Sequence, residues 1–123
     1  MEIEQDWFMR QIHQMAQLIA HVVFQKDSPN YEIVDEMNQS QADLLYSKIK
    51  SLVADMKICE AEDLLFGALD TSDKSHLLLA FDFYQTINML SDEELEHANF
   101  SRAEIRTGLQ EILERFNLPD FGF

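Results

Sequence analysis

The chain has 123 residues, 46% of them hydrophobic, and carries 9 Lys and Arg against 23 Asp and Glu, a formal net charge of −14 at pH 7. So large a hydrophobic fraction excludes a disordered acidic tail, which lacks the apolar surface that offsets chain entropy. The negative charge disfavours nucleic acid and anionic membranes as partners, because both would be repelled. A chain of this length supports one core, so we predict a single domain over residues 1–123.

The first six residues and the cysteine content predict a cytoplasmic protein. Residues 1–6 contain three acids where a secretory signal carries cations. Cys59 is the single cysteine, and an unpaired thiol fits a reducing compartment better than an oxidising one. We therefore expect no exported form and no membrane span.

Sparse turn residues predict an all-α fold. Only three Gly and two Pro occur, too few for the frequent turns of a β protein. We predict an N-terminal amphipathic helix within residues 1–26, a first helical hairpin over 40–70 and a second over 74–117. Residues 30–39 are polar and acidic and are expected to form a connection with at most one helical turn.

The first predicted helix runs from Gln5 to Gln25 and ends before Pro29, because proline disfavours helical geometry in the residue that precedes it. Its apolar residues recur at three- and four-residue steps, the spacing of one helical face. They are Phe8, Ile12, Met15, Ile19, Val22 and Val23.

The polar face of this helix is almost free of charge. Across residues 7–24 the only formal charge is Arg10. Gln and His tolerate partial burial without the desolvation cost of a full charge. We therefore expect Gln14, Gln17 and His21 to approach a second chain, in a two-fold homodimer, or an extended loop; the alternative is a neutral stripe that faces solvent.

Both predicted hairpins have clear helix starts. Ser40 with Asp43, Ser91 with Glu94 and Ser101 with Glu104 have the spacing of a capping box. In the first hairpin the helices cover about 40–56 and 57–70. Their predicted inward residues are Leu44, Leu45, Ile49, Leu52, Val53, Ile58, Ala61, Leu64, Leu65, Ala68 and Leu69.

The second hairpin combines a helix over about 74–90 with one from Ser101 to near Asn117, and a short helical piece from Ser91 to Ala98 lies between them. One apolar stripe is expected to be buried on each long helix. The stripes are Leu77, Leu78, Phe81, Tyr84 and Ile87, and Ile105, Leu109, Ile112, Leu113 and Phe116. The tail Leu118–Phe123 either folds back on the domain or meets a partner.

The first hairpin resembles a tetratricopeptide repeat unit. In the second helix, Ala61, Leu65, Ala68 and Leu69 follow the small and large residue spacing of that repeat, in which small residues let two antiparallel helices approach closely. Residues 42–73 match one unit, although Leu52 stands where an aromatic residue is expected. Residues 74–116 form a second, looser pair that does not follow the pattern.

A resemblance to a known family covers nearly the whole chain. It is carried by Gln5–Ile12, by Lys57–Phe66, by Phe83–Tyr84 and by the segments Leu90–Leu95 and Asn99–Arg102. These stretches resemble a family of small, uncharacterised, all-helical proteins of Gram-positive bacteria. The resemblance implies a helical fold and a bacterial origin, and it implies no activity.

The sequence shows no catalytic motif. It contains no phosphate-binding glycine loop, no nucleophile elbow, no paired cysteines and no His-Glu-x-x-His. We expect neither enzymatic activity nor a cofactor. Cys59 at a helix start could have a lowered pKa, but the acids beside it push the other way, so an ordinary semi-buried thiol is predicted.

Glu94 and His97 are the candidate metal ligands, because Glu and His three residues apart on a helix project to one side. Asp73 and His76 repeat the spacing with Asp in place of Glu. Di-iron carboxylate bundles use the Glu and His pair twice, whereas it occurs here once, so an ordinary surface role is the simpler interpretation. His13 and His21 lie about 12 Å apart along their helix and cannot share an ion.

The function favoured by the sequence is a non-enzymatic cytoplasmic protein-interaction module. Stacked helical hairpins form a groove, and an acidic surface suits a basic protein or peptide. The alternative is a carboxylate and histidine metal-binding protein, or a small enzyme, centred on Glu94 and His97. Self-association through the groove is a third option.

Overall fold

The computed structural model of the chain describes residues 2–21 and 31–119, with the side chains of positions 2–6 and 8 excepted. These two ranges contain helices and no strand, so the predicted all-α class is confirmed. The helices are α1 (Glu2–Ile19), α2 (Gln41–Ala54), α3 (Ile58–Ala68), α4 (Lys74–Asn88), α5 (Asp92–His97) and α6 (Arg102–Arg115).

Three of these helices start at the predicted capping boxes. At each box the serine hydroxyl accepts a hydrogen bond from the backbone N–H three residues on, and the acidic side chain there accepts one from the serine N–H. The pairs are Ser40 with Asp43, Ser91 with Glu94, and Ser101 with Glu104. Each box satisfies backbone donors that a helix start leaves without an intrahelical acceptor.

The same three helices end in one type of motif, which α2 illustrates. Met56 adopts a left-handed conformation with φ of 60°. The N–H of Lys57 donates to the Leu52 carbonyl at 2.8 Å, and the N–H of Met56 donates to the Val53 carbonyl at 2.9 Å. This pair of bonds defines a Schellman motif. Asn99 after α5 and Asn117 after α6 repeat it.

Helix α4 is the centre of the fold and packs against α1, α2 and α6. A run of consecutive residues on α4 is buried: His76, Leu77, Leu78, Leu79, Ala80 and Phe81. The predicted stripe of Leu77, Leu78, Phe81, Tyr84 and Ile87 is buried as expected, and burial extends beyond it because neighbouring helices cover α4 on several sides. The apolar core includes side chains from all the helices.

Helix α1 covers one side of α4 and α6. Ile12, Met15 and Ile19 are buried, as expected. The helix ends at Ile19 and continues through His21 in a wider turn. The predicted extension to Gln25 lies outside the described residues, as does the tail beyond Pro119.

Two residues of the first hairpin differ from the prediction, since Leu44 and Ala68 are exposed. Leu44 and Leu45 are neighbours on α2, about 100° apart around the helix axis, so one can point to solvent while the other points into the core. Leu45 is buried. Across the described ranges, no helix is both long and apolar enough to cross a membrane.

Arg102 holds α6 to the end of α4 through hydrogen bonds. Its side chain is buried. Its Nε donates to Asp92 Oδ1 at 3.0 Å, and Nη1 donates to the Asn88 carbonyl at 2.8 Å and to Asn88 Oδ1 at 3.0 Å. Nη2 donates to the Leu90 carbonyl. One side chain therefore joins the end of α4 and the starts of α5 and α6.

Gly108 allows α6 to pass close to Tyr84 of α4. A Cβ atom added at this glycine would lie 2.1 Å from the Tyr84 hydroxyl oxygen and 2.4 Å from the ring carbon that carries it. The hydroxyl donates to Glu62 Oε2 on α3 at 2.5 Å. Burial raises the pKa values of both Tyr84 and Glu62. The contact therefore connects three helices at one partly buried point.

Candidate functional site: an apolar groove beside α2 and α3

An open groove of about 260 Å³ lies where the start of α2 meets the end of α3. Leu44 and Leu45 of α2 line it together with Leu64 and Ala68 of α3. Leu44 is 50% exposed. The three-residue link 55–57 makes α2 and α3 antiparallel neighbours, which brings the first residues of α2 to the last residues of α3. The groove therefore presents aliphatic surface to solvent.

His76, near the start of α4, also lines the groove and is buried. The Asp70 N–H donates to its Nδ1 at 3.2 Å. In the neutral ring the proton is therefore on Nε2, which lies 3.9 Å from Asp73 Oδ2. Asp73 also caps α4 by accepting from the Ser75 N–H at 2.9 Å. The polar end of the groove is thus fixed by the turn before α4.

The groove has charges of both signs around its apolar surface. Lys48 of α2 is exposed and lines one wall. Asp73 lies beside His76 at the other end, and Asp70 follows Ala68 by two residues. Side-chain hydrogen bonds from Ser72 lower the Asp70 pKa, so this carboxylate is ionised at neutral pH. Apolar anchoring and charge recognition are both available at this surface.

Tyr31 anchors the chain segment that leads into α2. Its hydroxyl donates to Asp43 Oδ1 at 2.6 Å, and its N–H donates to Asp82 Oδ2 at 2.8 Å. The ring stacks at a tilt on Tyr46, with centroids 4.6 Å apart. Burial and the bond to Asp43 raise the Tyr31 pKa to about 12. These bonds hold the entry to α2, and with it the groove wall, against α4.

A smaller cavity of about 40 Å³ lies between α2 and α4, next to Asp82, Tyr46 and Phe83. Burial raises the pKa of Asp82. This volume has room for only a few water molecules. Of these two, the groove beside α2 and α3 is the one with room for a side chain of a partner.

The candidate metal ligands occupy α5, where Glu94 already has a structural role. Its Oε1 accepts from the Ser91 N–H at 3.0 Å, and this bond lowers the Glu94 pKa. His97 lies on an open acidic surface with Glu93 and Glu96. Within residues 2–21 and 31–119, no three His, Cys, Asp or Glu side chains form a group that could hold a metal ion.

Cys59 is exposed, contrary to the semi-buried position predicted for it. Its thiol lies within hydrogen-bonding distance of the Ala98 and Asn99 carbonyls, at 3.6 and 3.5 Å. Desolvation raises its pKa, and the charges of Glu104 and Glu62 act in the same direction. The thiol is therefore not activated as a nucleophile.

The predicted interface residues are all exposed: Gln14 and Gln17 lie on α1, and His21 lies in the turn that follows it. His13 is also exposed. Its Nδ1 lies 2.8 Å from Nε2 of Gln85 on α4. The two histidines thus meet solvent or a neighbouring helix. Leu118, at the start of the tail, packs partly on the core.

Sequence analysis missed the groove because its surface depends on two residues that were assigned inward positions, Leu44 and Ala68. The adjacent leucines 44 and 45 were the available signal, since their side chains leave the helix in directions about 100° apart. The role of His76 had no such signal, because its burial depends on how the turn before α4 folds back on the end of α3.

A family model matches residues 2–117, nearly the whole described chain. The chain belongs to the family of unknown function DUF6483. A family without an assigned activity is also what the sequence resemblance implied. No curated protein matches the chain, and no solved structure matches it.

Proposed function

We propose that the protein is a non-enzymatic protein-interaction module that binds its partner in the groove beside α2 and α3. The observation that carries this proposal is the half-exposed Leu44 at the mouth of a groove of about 260 Å³. A groove of this kind accepts one or two apolar side chains of a partner segment. Its open shape suits a protein surface or peptide better than an enclosed small molecule.

The charge of the chain supports a basic partner. A net charge of −14 speeds the approach of a cationic protein and slows that of an acidic one. Asp70 and Asp73 are bonded to or lie beside the groove residue His76 and offer carboxylates to a lysine or arginine that flanks the partner's apolar anchor. Lys48 lines the groove and would pair with an acidic residue of the partner, which sets the direction of the bound segment.

The α2–α3 pair supports a comparison with tetratricopeptide units, in which antiparallel helices present a binding groove. This analogy concerns the fold and carries function only weakly. The exposed thiol of Cys59 would be stable in a reducing compartment, and the cytoplasm is the location we propose.

The test compares two variants that each place an aspartate on exposed apolar surface. Leu44→Asp introduces a charge into the groove, and Met89→Asp introduces one after α4, where Met89 is 74% exposed. Each tagged variant and the unaltered protein would be used to capture proteins from the native cytoplasm, followed by mass spectrometry. Affinities would then be measured with the purified partner by calorimetry.

We expect a basic partner that binds the unaltered protein and the Met89→Asp variant equally, and binds Leu44→Asp at least about tenfold more weakly, as expected when a buried apolar anchor is lost. Circular dichroism would check that both variants remain folded. A partner that binds Leu44→Asp unchanged would contradict the groove as the binding site, and turnover of a substrate would contradict a non-enzymatic role.

A further inference from the structure

A seam of five exposed residues runs along α1 and into the turn that follows it. Trp7, Arg10, Gln14, Gln17 and His21 follow one another at steps of three, four, three and four residues, and Trp7, at one end, also contacts Arg106 of α6. This alternation is the spacing at which one helix packs along another in a coiled coil. The core residues of α1 lie on the opposite side and already contact α4 and α6. The helix therefore has a second face with the spacing of a helix-packing surface.

The charge of this seam favours a copy of the same chain as the occupant. In a two-fold contact each surface meets itself, so an acidic surface would repel its counterpart. The chain has a net charge of −14, yet Arg10 is the only formal charge across residues 7–24. The seam is thus a surface on which two such chains meet without opposing rows of carboxylates.

Two amide side chains beside the seam give a second, independent observation. In the described part of the chain, the buried oxygens Gln11 Oε1 and Gln85 Oε1 have no hydrogen-bond donor. Gln11 lies on α1 itself, and Gln85 contacts His13 of α1 through its amide nitrogen. A buried polar atom without a partner carries a free-energy cost. Because both oxygens are buried within the described chain, Gln11 and Gln85 would have to rotate toward the seam to accept bonds from amide donors of a second copy.

We propose that two copies of this chain associate through α1, antiparallel and around a two-fold axis that passes between Gln14 and Gln17. An antiparallel arrangement sets each Gln14 against Gln17 of the other copy. The two Arg10 side chains are then separated by roughly 16 Å along the helix axis, at about 1.5 Å per residue. This is beyond the ~8 Å screening length of physiological salt. A parallel arrangement would place the two arginines side by side.

The test uses analytical ultracentrifugation of the full chain. We expect a monomer–dimer equilibrium with a dimer at tens of micromolar. The variant Gln14→Glu with Gln17→Glu places four carboxylates around the axis and should raise the dimer dissociation constant roughly tenfold or more. The matched control, Ser47→Glu with Ser51→Glu, adds the same charge at exposed positions of α2 and should change it little.

Cross-linking locates the contact. In a Cys59→Ser background, a mixture of Gln14→Cys and Gln17→Cys chains should form a mixed disulfide-linked dimer under mild oxidation, whereas a mixture of Ser47→Cys and Ser51→Cys chains should not. A monomeric unaltered chain, a dimer insensitive to the glutamates on α1, or equal cross-linking in both mixtures would each overturn the proposal. Association of the α1 seam only with a different protein would overturn it as well. The result does not depend on the groove, so either proposal can fail alone.

Discussion

The two helix pairs of this protein are built in different ways. The α2–α3 pair is joined by a three-residue link and leaves aliphatic side chains, Leu44 among them, in contact with solvent. The α4–α6 pair is separated in sequence by α5 and is closed by the hydrogen bonds of buried Arg102 and by the approach of Gly108 to Tyr84.

This difference separates surface that stabilises the fold from surface that is available for binding. Around Arg102, guanidinium donors are matched to backbone carbonyls and to Asp92, so a change there leaves buried groups without partners. Around Leu44, exposed apolar surface can be altered without such a loss. We expect substitutions in the α4–α6 pair to affect folding and those in the groove to affect binding.

The largest effect is expected from Arg102→Ala. The substitution leaves the Asn88 and Leu90 carbonyls without this donor and removes the ion pair with Asp92. We expect the free energy of unfolding to fall by about 2–4 kcal/mol, because the carbonyls lose a buried donor, whereas Asp92 is half exposed and loses little. Urea denaturation measures it. Arg115→Ala, which removes a surface pair with Glu111, should cost less than about 1 kcal/mol; equal losses would refute the distinction.

A second prediction compares two glycines in helices. Gly108→Ala places a Cβ 2.1 Å from the Tyr84 hydroxyl, and we expect a loss of about 1–3 kcal/mol from overpacking. Gly67→Ala has no atom within 4 Å of the new Cβ and should stabilise α3 by about 0.5–1 kcal/mol. Thermal unfolding of both variants measures the contrast. Stabilisation by both substitutions would show that α6 does not approach Tyr84 closely.

A smaller, pH-dependent effect is expected at Glu62, which joins the two helix pairs through Tyr84. Burial raises its pKa in the folded protein, so the folded state holds a proton that the unfolded chain loses above about pH 4.3. As the pH rises from about 4.3 through the raised pKa of the folded protein, ionisation of Glu62 therefore lowers the free energy of unfolding. Relative to the unaltered protein, Glu62→Gln should gain stability across this window, which denaturation at a series of pH values measures. A constant difference would contradict the burial of this carboxylate.

The smallest effect on folding is expected at Leu44. Since it is half-exposed, Leu44→Ala should lower the free energy of unfolding by less than about 1 kcal/mol. Its buried neighbour Leu45 provides the matched control, for which Leu45→Ala should cost about 2–5 kcal/mol. Denaturant titration of the two variants tests whether α2 has the orientation described here. A larger loss at Leu44 would mean that the groove is closed in solution.

Local signals predicted the helix starts well, because a capping box depends on two side chains three residues apart. The boxes at Ser40, Ser91 and Ser101 are present in the structure. Helix ends were placed about two residues too late in α2, α3, α4 and α6. Hydrophobic periodicity also found most of the core.

Burial of polar residues could not be predicted in this way. Arg102 follows a capping serine, a position that indicates an exposed residue, and its burial depends on carbonyls at the end of α4. Gly108 offered a weak signal, because a glycine inside a helical pattern often marks a close contact. The burial of Leu79 and Ala80, outside the predicted stripe, follows from the packing of α1 and α2 around α4.

The Schellman motifs after α2, α5 and α6 bear on how the chain folds. Each reverses the chain through bonds between residues at most five apart, such as Lys57 with Leu52, and Met56, Asn99 and Asn117 adopt the left-handed conformation without the help of glycine. Chain reversals specified by such short-range contacts require little loop-closure entropy. We expect refolding in stopped-flow or temperature-jump experiments on the microsecond to millisecond scale of helical proteins, with the short-range turns forming before α1 docks onto α4.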